Sequence, residues 1–298
     1  MGKSKYSVQE SQKYGRYQVS AKRFLVLSFL LCSFTQMQAM TKPISKITNV
    51  SLSDYNNGRS DKVEEGMKMD ETVSNDSIYV VKKLSEKMKI DGDWKKNQWK
   101  EIESLRFKHH MGKSPKFRPK TWAKIAYDDT YLYVIFKVED RYVVSTVEEF
   151  NGPVSEDSCV EFFFAPNADE PEGYFNIEIN AGGTPLVHYQ IHEERETKRR
   201  FSKQDFKTMK IAHSMPEVIN PEITEPTTWI IEYKVPFTTL QKYASFKKPE
   251  PGDVWRANLY KTASSHSENR HYLTWSYVDY PKPHFHLPEF FGTLKFTD

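Results

Sequence analysis

The sequence predicts an all-β protein: an antiparallel β-sandwich or jelly roll with an immunoglobulin-like two-sheet architecture. Three observations carry this expectation. Roughly ten segments alternate apolar and polar residues with a period of two. Clusters of Gly, Pro, Asn and Asp separate them, and no stretch sustains the period of a long amphipathic helix. A period of two sends successive side chains to opposite faces, so each segment has a core face and an outer face.

At the N-terminus Lys3, Lys5, Lys13, Arg16, Lys22 and Arg23 precede an apolar run from Phe24 to Phe34, and Met37-Gln38-Ala39 follows as a cleavage site. Residues 1–39 therefore read as a signal peptide, with an apolar run too short to span a bilayer. Retention as an anchor and lipidation at Cys32 are the competing fates, the second opposed by the bulk of Leu31. An exported protein of the periplasm, cell envelope or extracellular space is expected. Export removes Cys32, so Cys159, set in an apolar strand, reads as a buried structural thiol without an intrachain partner.

Residues 40–88 are rich in Ser, Asn, Asp, Lys and Glu and form a polar spacer with too little apolar surface to offset its ordering entropy. Ser77 to Val81 is an edge strand within it. The folded domain spans residues 89–298 and opens at Lys89-Ile90-Asp91-Gly92-Asp93-Trp94, where Asp-Gly marks a turn. Strands are expected at Lys124 to Tyr127, Tyr131 to Val138, Cys159 to Phe164, Tyr174 to Asn180 and Leu186 to Ile191. Others follow at Phe206 to Ala212, Trp229 to Val235, Val254 to Lys261, Tyr272 to Ser276 and Thr293 to Phe296. The turns between them include Asp128-Asp129, Asn151-Gly152-Pro153, Pro171-Glu172-Gly173, Gly182-Gly183 and Pro251-Gly252-Asp253.

A net charge of +3, with much of the excess before Phe24, argues against nucleic acid as a partner. Alternation sends Val160, Phe162 and Phe164 into the core and Cys159, Glu161 and Phe163 away from it. In the same way Phe175, Ile177 and Ile179 point in, and Tyr174, Asn176, Glu178 and Asn180 point out. Carboxylates, amides and rings then share one face. A solvated sheet face explains that mixture, and so does a sugar cleft, since a pyranose offers hydroxyls at its edge and C–H bonds on its faces. The segment His284-Phe285-His286-Leu287-Pro288-Glu289-Phe290-Phe291-Gly292 adds a large ring and two imidazoles in a loop, where packing explains them less well.

The order of Ile90-Asp91-Gly92, Ala126-Tyr127-Asp128-Asp129, Asp157-Ser158-Cys159-Val160-Glu161, Trp255-Arg256-Ala257-Asn258-Leu259-Tyr260, Thr274-Trp275-Ser276 and Phe290-Phe291-Gly292-Thr293-Leu294 resembles the family 9 carbohydrate-binding modules. The resemblance runs from Ile90 to Phe296, and Asn258-Leu259-Tyr260-Lys261 and Phe285-His286-Leu287-Pro288 look most like the family 9-like branch of Bacteroidetes-type bacteria. It implies a protein that binds a poly- or oligosaccharide without cleaving it, in support of polysaccharide degradation and in association with envelope components or degrading enzymes. By the same resemblance Phe285 stacks on a sugar face, while Glu161, Asn176 (in place of an Arg) and Tyr260 (in place of a Gln) bond its hydroxyls. The position of a second stacking Trp falls on Val154, which leaves Phe150, Tyr142 or Tyr280 to supply that ring. His284 and His286 read as loop hydrogen-bonding groups of the same site, since no further ligand completes a metal set. The resemblance requires no cofactor and allows a structural calcium ion, for which Asp128-Asp129 and Asp169-Glu170-Glu172 are candidates and also ordinary turn acids.

Two other functions fit single features. A glycoside hydrolase needs a carboxylate pair, which Glu161, Glu178 and Glu232 could provide. A haem-binding sandwich of the DOMON type needs axial ligands, for which Met111 and His188 are the candidates. Trp229 and Trp275 lie in alternating strands and read as core.

Overall fold

The computed structural model describes residues 77–166, 173–191 and 199–298, all within the compact unit Lys68–Asp298. The expected signal peptide, the spacer up to residue 76, Asp169-Glu170 and Pro171-Glu172 lie outside the described residues.

The strands follow the alternation read from the sequence, with short additions. In chain order they are β1 (Ile78–Lys83), β2 (Leu105–Arg106), β3 (His109–His110), β4 (Lys120–Tyr127), β5 (Tyr131–Asp140), β6 (Val143–Ser145), β7 (Cys159–Ala165) and β8 (Gly173–Asn180). The series continues with β9 (Pro185–Ile191), β10 (Arg199–Arg200), β11 (Lys210–His213), β12 (Ile219–Ile223), β13 (Thr227–Pro236), β14 (Val254–Ala263), β15 (His271–Thr274) and β16 (Gly292–Thr297). Fourteen of these join in one sheet ordered β10-β9-β8-β7-β14-β16-β1-β4-β5-β13-β11, with β15 and β3 branching from β14 and β2 from β4. The other two, β6 and β12, pair as a separate ribbon.

This sheet curls into the expected sandwich. Phe162, Phe164 and Ile177 from the β7-β8 side share one core with Ile125, Val134, Phe136 and Ile231 from the β4-β5-β13 side. Trp255 of β14 joins it, stacked on Phe164 at 5.5 Å between centroids. Trp229 and Trp275 are core residues, as their alternation requires.

Two expectations are corrected. Ser77 to Val81 is not an edge strand inside a spacer. β1 pairs in parallel with β16 on one side and with β4 on the other, and Val81 is fully buried, so the folded domain begins before residue 78 rather than at 89. The segment Phe206 to Ala212 is not one strand. Ser202 and Asp205 form a reciprocal capping box that starts a short helix, α1 (Lys203–Phe206), and the strand begins only at Lys210.

The opening turn is held by a buried carboxylate. Glu232 Oε2 accepts from the backbone N–H of Asp91 at 2.9 Å and of Gly92 at 2.7 Å, and Oε1 accepts from Trp99 Nε1 at 2.7 Å. Lys96 Nζ donates to the same carboxylate at 2.8 Å. Gly92 sits at φ +77°, a conformation that a side chain resists.

Candidate functional site

The outer face of β7 and β8 is not solvated. Every residue of both strands is buried, because the segment around Val154 and the loop joining β15 to β16 lie over them. Alternate residues of β14 fasten that loop. Arg256 donates to the carbonyl of Phe291. Asn258 donates from Nδ2 to the Ser276 carbonyl at 3.2 Å and accepts the Ser276 N–H at 2.9 Å. The Tyr260 hydroxyl donates to the Phe285 carbonyl at 3.1 Å. Under the loop, Phe163, Tyr174, Tyr260 and Phe291 form a second small core. Phe285 lies flat on Tyr260, with centroids 4.0 Å apart and 12° between planes. His286 is fixed by a 2.8 Å hydrogen bond between its Nδ1 and the Tyr174 hydroxyl.

Where the cover is incomplete, a cavity of about 280 Å³ opens. Glu161 and Glu178 form one wall, directly opposite each other in the register of β7 and β8. The rings of Phe285 and Tyr272, meeting edge to face at 6.1 Å, form another. Ser155, Thr262 and Ser264 bring hydroxyls, and His284 and His286 stand at the loop side. Rings beside convergent polar groups are the composition of a small-ligand site.

The electrostatics of the acidic wall are unusual. Glu161 is 2% exposed and its Oε1 has no hydrogen-bond partner, so a buried acceptor is left over. Burial, reinforced by the charge of Glu178, pushes the Glu161 carboxyl well above its ordinary range against the opposing pull of Lys261. Lys261 itself points into the main core. There its Nζ stands 3.4 Å from Asp140 Oδ2 and 2.7 Å from His271 Nε2, with all three side chains buried, and burial lowers its pKa.

An acid raised in the folded state stabilises that state at low pH and loses the contribution as pH rises above its unfolded value of 4.5. Glu161→Gln, which cannot ionise, should therefore become progressively more stable than wild type as pH rises through that range. Thermal midpoints of the two proteins across pH would show it, and a pH-independent gap would contradict the account.

Of the six expected site residues, Phe285, Glu161, His284 and His286 line the cavity. The other two act through neighbours, which corrects their expected roles. Asn176 is buried and donates from Nδ2 to Glu178 Oε1 at 2.8 Å, so it orients a carboxylate instead of reaching the cavity. Tyr260 is fully buried beneath Phe285, with its hydroxyl committed to that residue's carbonyl. The ring that lines the cavity beside Phe285 is Tyr272, while Phe150, Tyr142 and Tyr280 are not among its lining residues. Phe150 packs on Phe206 at 4.9 Å, Tyr280 is exposed beside His284, and Val154 is buried against Cys159 and Leu186. Glu178 was readable as an outward partner of Glu161. Ser155, Thr262, Ser264 and Tyr272 carried no signal beyond their polarity, since only the curl of β14 into β15 brings them together.

The remaining candidates separate. Glu232 belongs to the opening turn and cannot join Glu161 and Glu178 as a third acid. Met111 adjoins β3 and His188 lies on β9, with β15, β14, β7 and β8 between, which is well over 10 Å along the sheet at roughly 4.8 Å per strand and too far for one haem iron. Asp128 accepts from the N–H groups of Thr130 and Tyr131 and from the Tyr133 hydroxyl, and Asp129 pairs with Lys83 at 2.7 Å, so both acids are engaged within the turn itself. Among the described residues one group of three could hold a metal: Cys159, Glu161 and Glu178, with ligand atoms within 4.8 Å of one another. Burial pushes the Cys159 thiol well up, which keeps it protonated and inert.

The profile of carbohydrate-binding family 9 matches residues 87–296. A candidate carbohydrate-binding protein from Bacteroides uniformis is 25% identical, with a TM-score of 0.65 over 74% of this chain and 98% of its own. A family 9 carbohydrate-binding module from Caldicellulosiruptor kristjanssonii, solved with cellotriose, is 15% identical with a TM-score of 0.48, over 74% of this chain and 93% of its own. The same module solved with glucose has the same identity and score, over 74% and 95%. No curated protein matches the chain.

Proposed function

This chain belongs to carbohydrate-binding family 9, and from that we propose that it binds a poly- or oligosaccharide in the cavity between the β7-β8 wall and the loop carrying Phe285, without cleaving it. The observation that carries the reading is the buried Glu161 Oε1, an acceptor without a protein partner facing a cavity floored by aromatic rings. A sugar hydroxyl would satisfy that oxygen while a C–H face lies on Phe285, whose other side is backed by Tyr260. The cavity is small, so it suits a single sugar unit or the end of a chain rather than a long polymer segment. Each polar contact would contribute about 0.5–1.5 kcal/mol net, which puts one module in the micromolar to millimolar range.

The carboxylate pair is better suited to binding than to hydrolysis. Glycosidases place one carboxyl on each side of the scissile bond, whereas Glu161 and Glu178 rise side by side from adjacent strands of one wall. We further propose export to the periplasm, cell envelope or extracellular space, a role in polysaccharide degradation, and association with the enzymes that carry it out. The basic residues followed by the apolar run from Phe24 to Phe34 support the first of these.

Phe285→Ala should weaken saccharide binding by about 1–3 kcal/mol, the scale of one ring contact, with the main core left intact. Isothermal titration against β-glucan and xylan oligosaccharides measures the loss. Equal affinity in wild type and variant would remove this cavity as the site. Release of reducing sugar by the purified protein, abolished by Glu161→Gln, would establish the hydrolase instead.

A further inference from the structure

We propose that the cavity prefers a sugar bearing a free, protonated amine over its hydroxyl or N-acetyl counterpart. The inference rests on the carbohydrate-binding reading above and names the substrate class of that site.

The side of the cavity formed by β7 and β8 presents two carboxylates. Burial favours the protonated acid, but an ammonium placed beside the pair favours the ionised form, in which Glu161 and Glu178 can only accept; among the described residues Glu161 Oε1 has no donor. Two of the three Ser/Thr hydroxyls at the cavity have spent their hydrogens on backbone: Thr262 Oγ1 donates to the His271 carbonyl at 3.2 Å and Ser264 Oγ to the Ser155 carbonyl at 2.8 Å. Each therefore has only lone pairs left to offer a ligand. Among the described residues no lysine or arginine lines it, and Lys261, which follows Tyr260 on β14, is committed on the core side to Asp140 and His271. A group with three donors, no acceptor and a positive charge completes such a wall. An ammonium on a pyranose is that group, and the rings of Phe285 and Tyr272 favour a cation near their faces. A hydroxyl brings one donor and no charge, and an N-acetyl group brings an extra acceptor and a methyl. A divalent metal ion is the other cation that could satisfy the two carboxylates, but the third candidate ligand, Cys159, is a buried thiol that donates to the Val160 carbonyl at 3.6 Å.

The test uses three β-1,4-linked tetramers that differ only at C2: glucosamine, N-acetylglucosamine and glucose. They are titrated into the whole protein after chelator treatment, and again with added zinc or calcium. The glucosamine tetramer should bind roughly tenfold or more tightly than either of the others, the scale of one charge-assisted hydrogen bond. In Glu161→Gln that preference should collapse. Should this variant not fold, Glu178→Gln is read the same way, and the three-ligand comparison on wild type stands alone. Equal or weaker binding of the amine, with Phe285→Ala still weakening saccharide binding, would overturn the inference and leave the carbohydrate reading intact. Absence of any saccharide binding would overturn both. Tight metal binding that blocks the amine would assign the carboxylate pair to a metal instead.

Discussion

A chain beginning at Lys89 should fail to fold, while one beginning at Lys68 should fold cooperatively. The shorter chain lacks β1, which occupies the gap between β16 and β4 in the one continuous sheet. Five residues of β1, Ile78 to Lys82, pair with β16, and Lys82 and Lys83 pair with β4. Removing them unpairs both neighbours along buried edges and leaves backbone groups without partners, each at a cost of about 1–3 kcal/mol. It also takes Val81 and Tyr79 out of the core, where Tyr79 accepts the Ile125 N–H at 3.2 Å and donates to the Glu103 carbonyl at 2.7 Å. The summed loss exceeds the whole stability of an ordinary domain. Circular dichroism and urea melts of the two chains distinguish the cases, and a cooperative transition for residues 89–298 would show that β1 is an appendage.

The long strands were legible because they obey local rules. β5, β7, β8, β13 and β14 are runs of alternating side chains bounded by turn residues, and both pieces of information lie within a few positions. β1 obeys the same alternation, with Tyr79 and Val81 in and Ile78 and Val80 out. It reads as an edge strand of the spacer, not as a central strand of the fold, because it follows a polar stretch and because its partners are parallel strands far along the chain, so no hairpin turn joins it to them. Short strands such as β2, β3 and β12 contain too few residues to show a period at all.

The site divides in the same way. Glu161 and Glu178 were readable as outward partners because strand alternation is local, and Phe285 because a large ring among Pro and His is poorly explained by a loop. The roles of Asn176 and Tyr260 were not readable. Whether a polar side chain on a sheet face meets a ligand or a neighbour depends on what covers that face, and here the cover is a loop fastened by Arg256, Asn258 and Tyr260. That row at period two on β14 is itself a sequence pattern, and its meaning appears only once the loop from Ser276 to Phe291 is seen above it.

Glu232 and Glu161 look alike in sequence, each a lone carboxylate in an apolar strand, and they should respond to substitution in opposite ways. Glu232 receives two backbone N–H groups, the Trp99 indole and the Lys96 ammonium. Glu232→Ala would strand the two N–H groups and the indole, and would leave Lys96, whose side chain is only 11% exposed, with Asp91 and the Lys89 carbonyl alone. Breaking a buried, hydrogen-bonded ion pair from one side costs about 3–5 kcal/mol, so this variant should lose that much stability in urea denaturation. Glu232→Gln keeps an acceptor but removes one of the two carboxylate charges that face Lys96, and should fall between wild type and Glu232→Ala. Glu161 receives no donor at Oε1 and carries the cost of an acid buried beside another acid. Glu161→Gln should therefore leave stability unchanged or raise it near neutral pH, while lowering affinity for the ligand. A residue retained although it costs the fold stability is what a binding site requires, whereas Glu232 is explained by the fold alone. If Glu161→Gln proves as damaging to folding as Glu232→Ala, the carboxylate pair is structural and the proposed cavity loses its acidic wall.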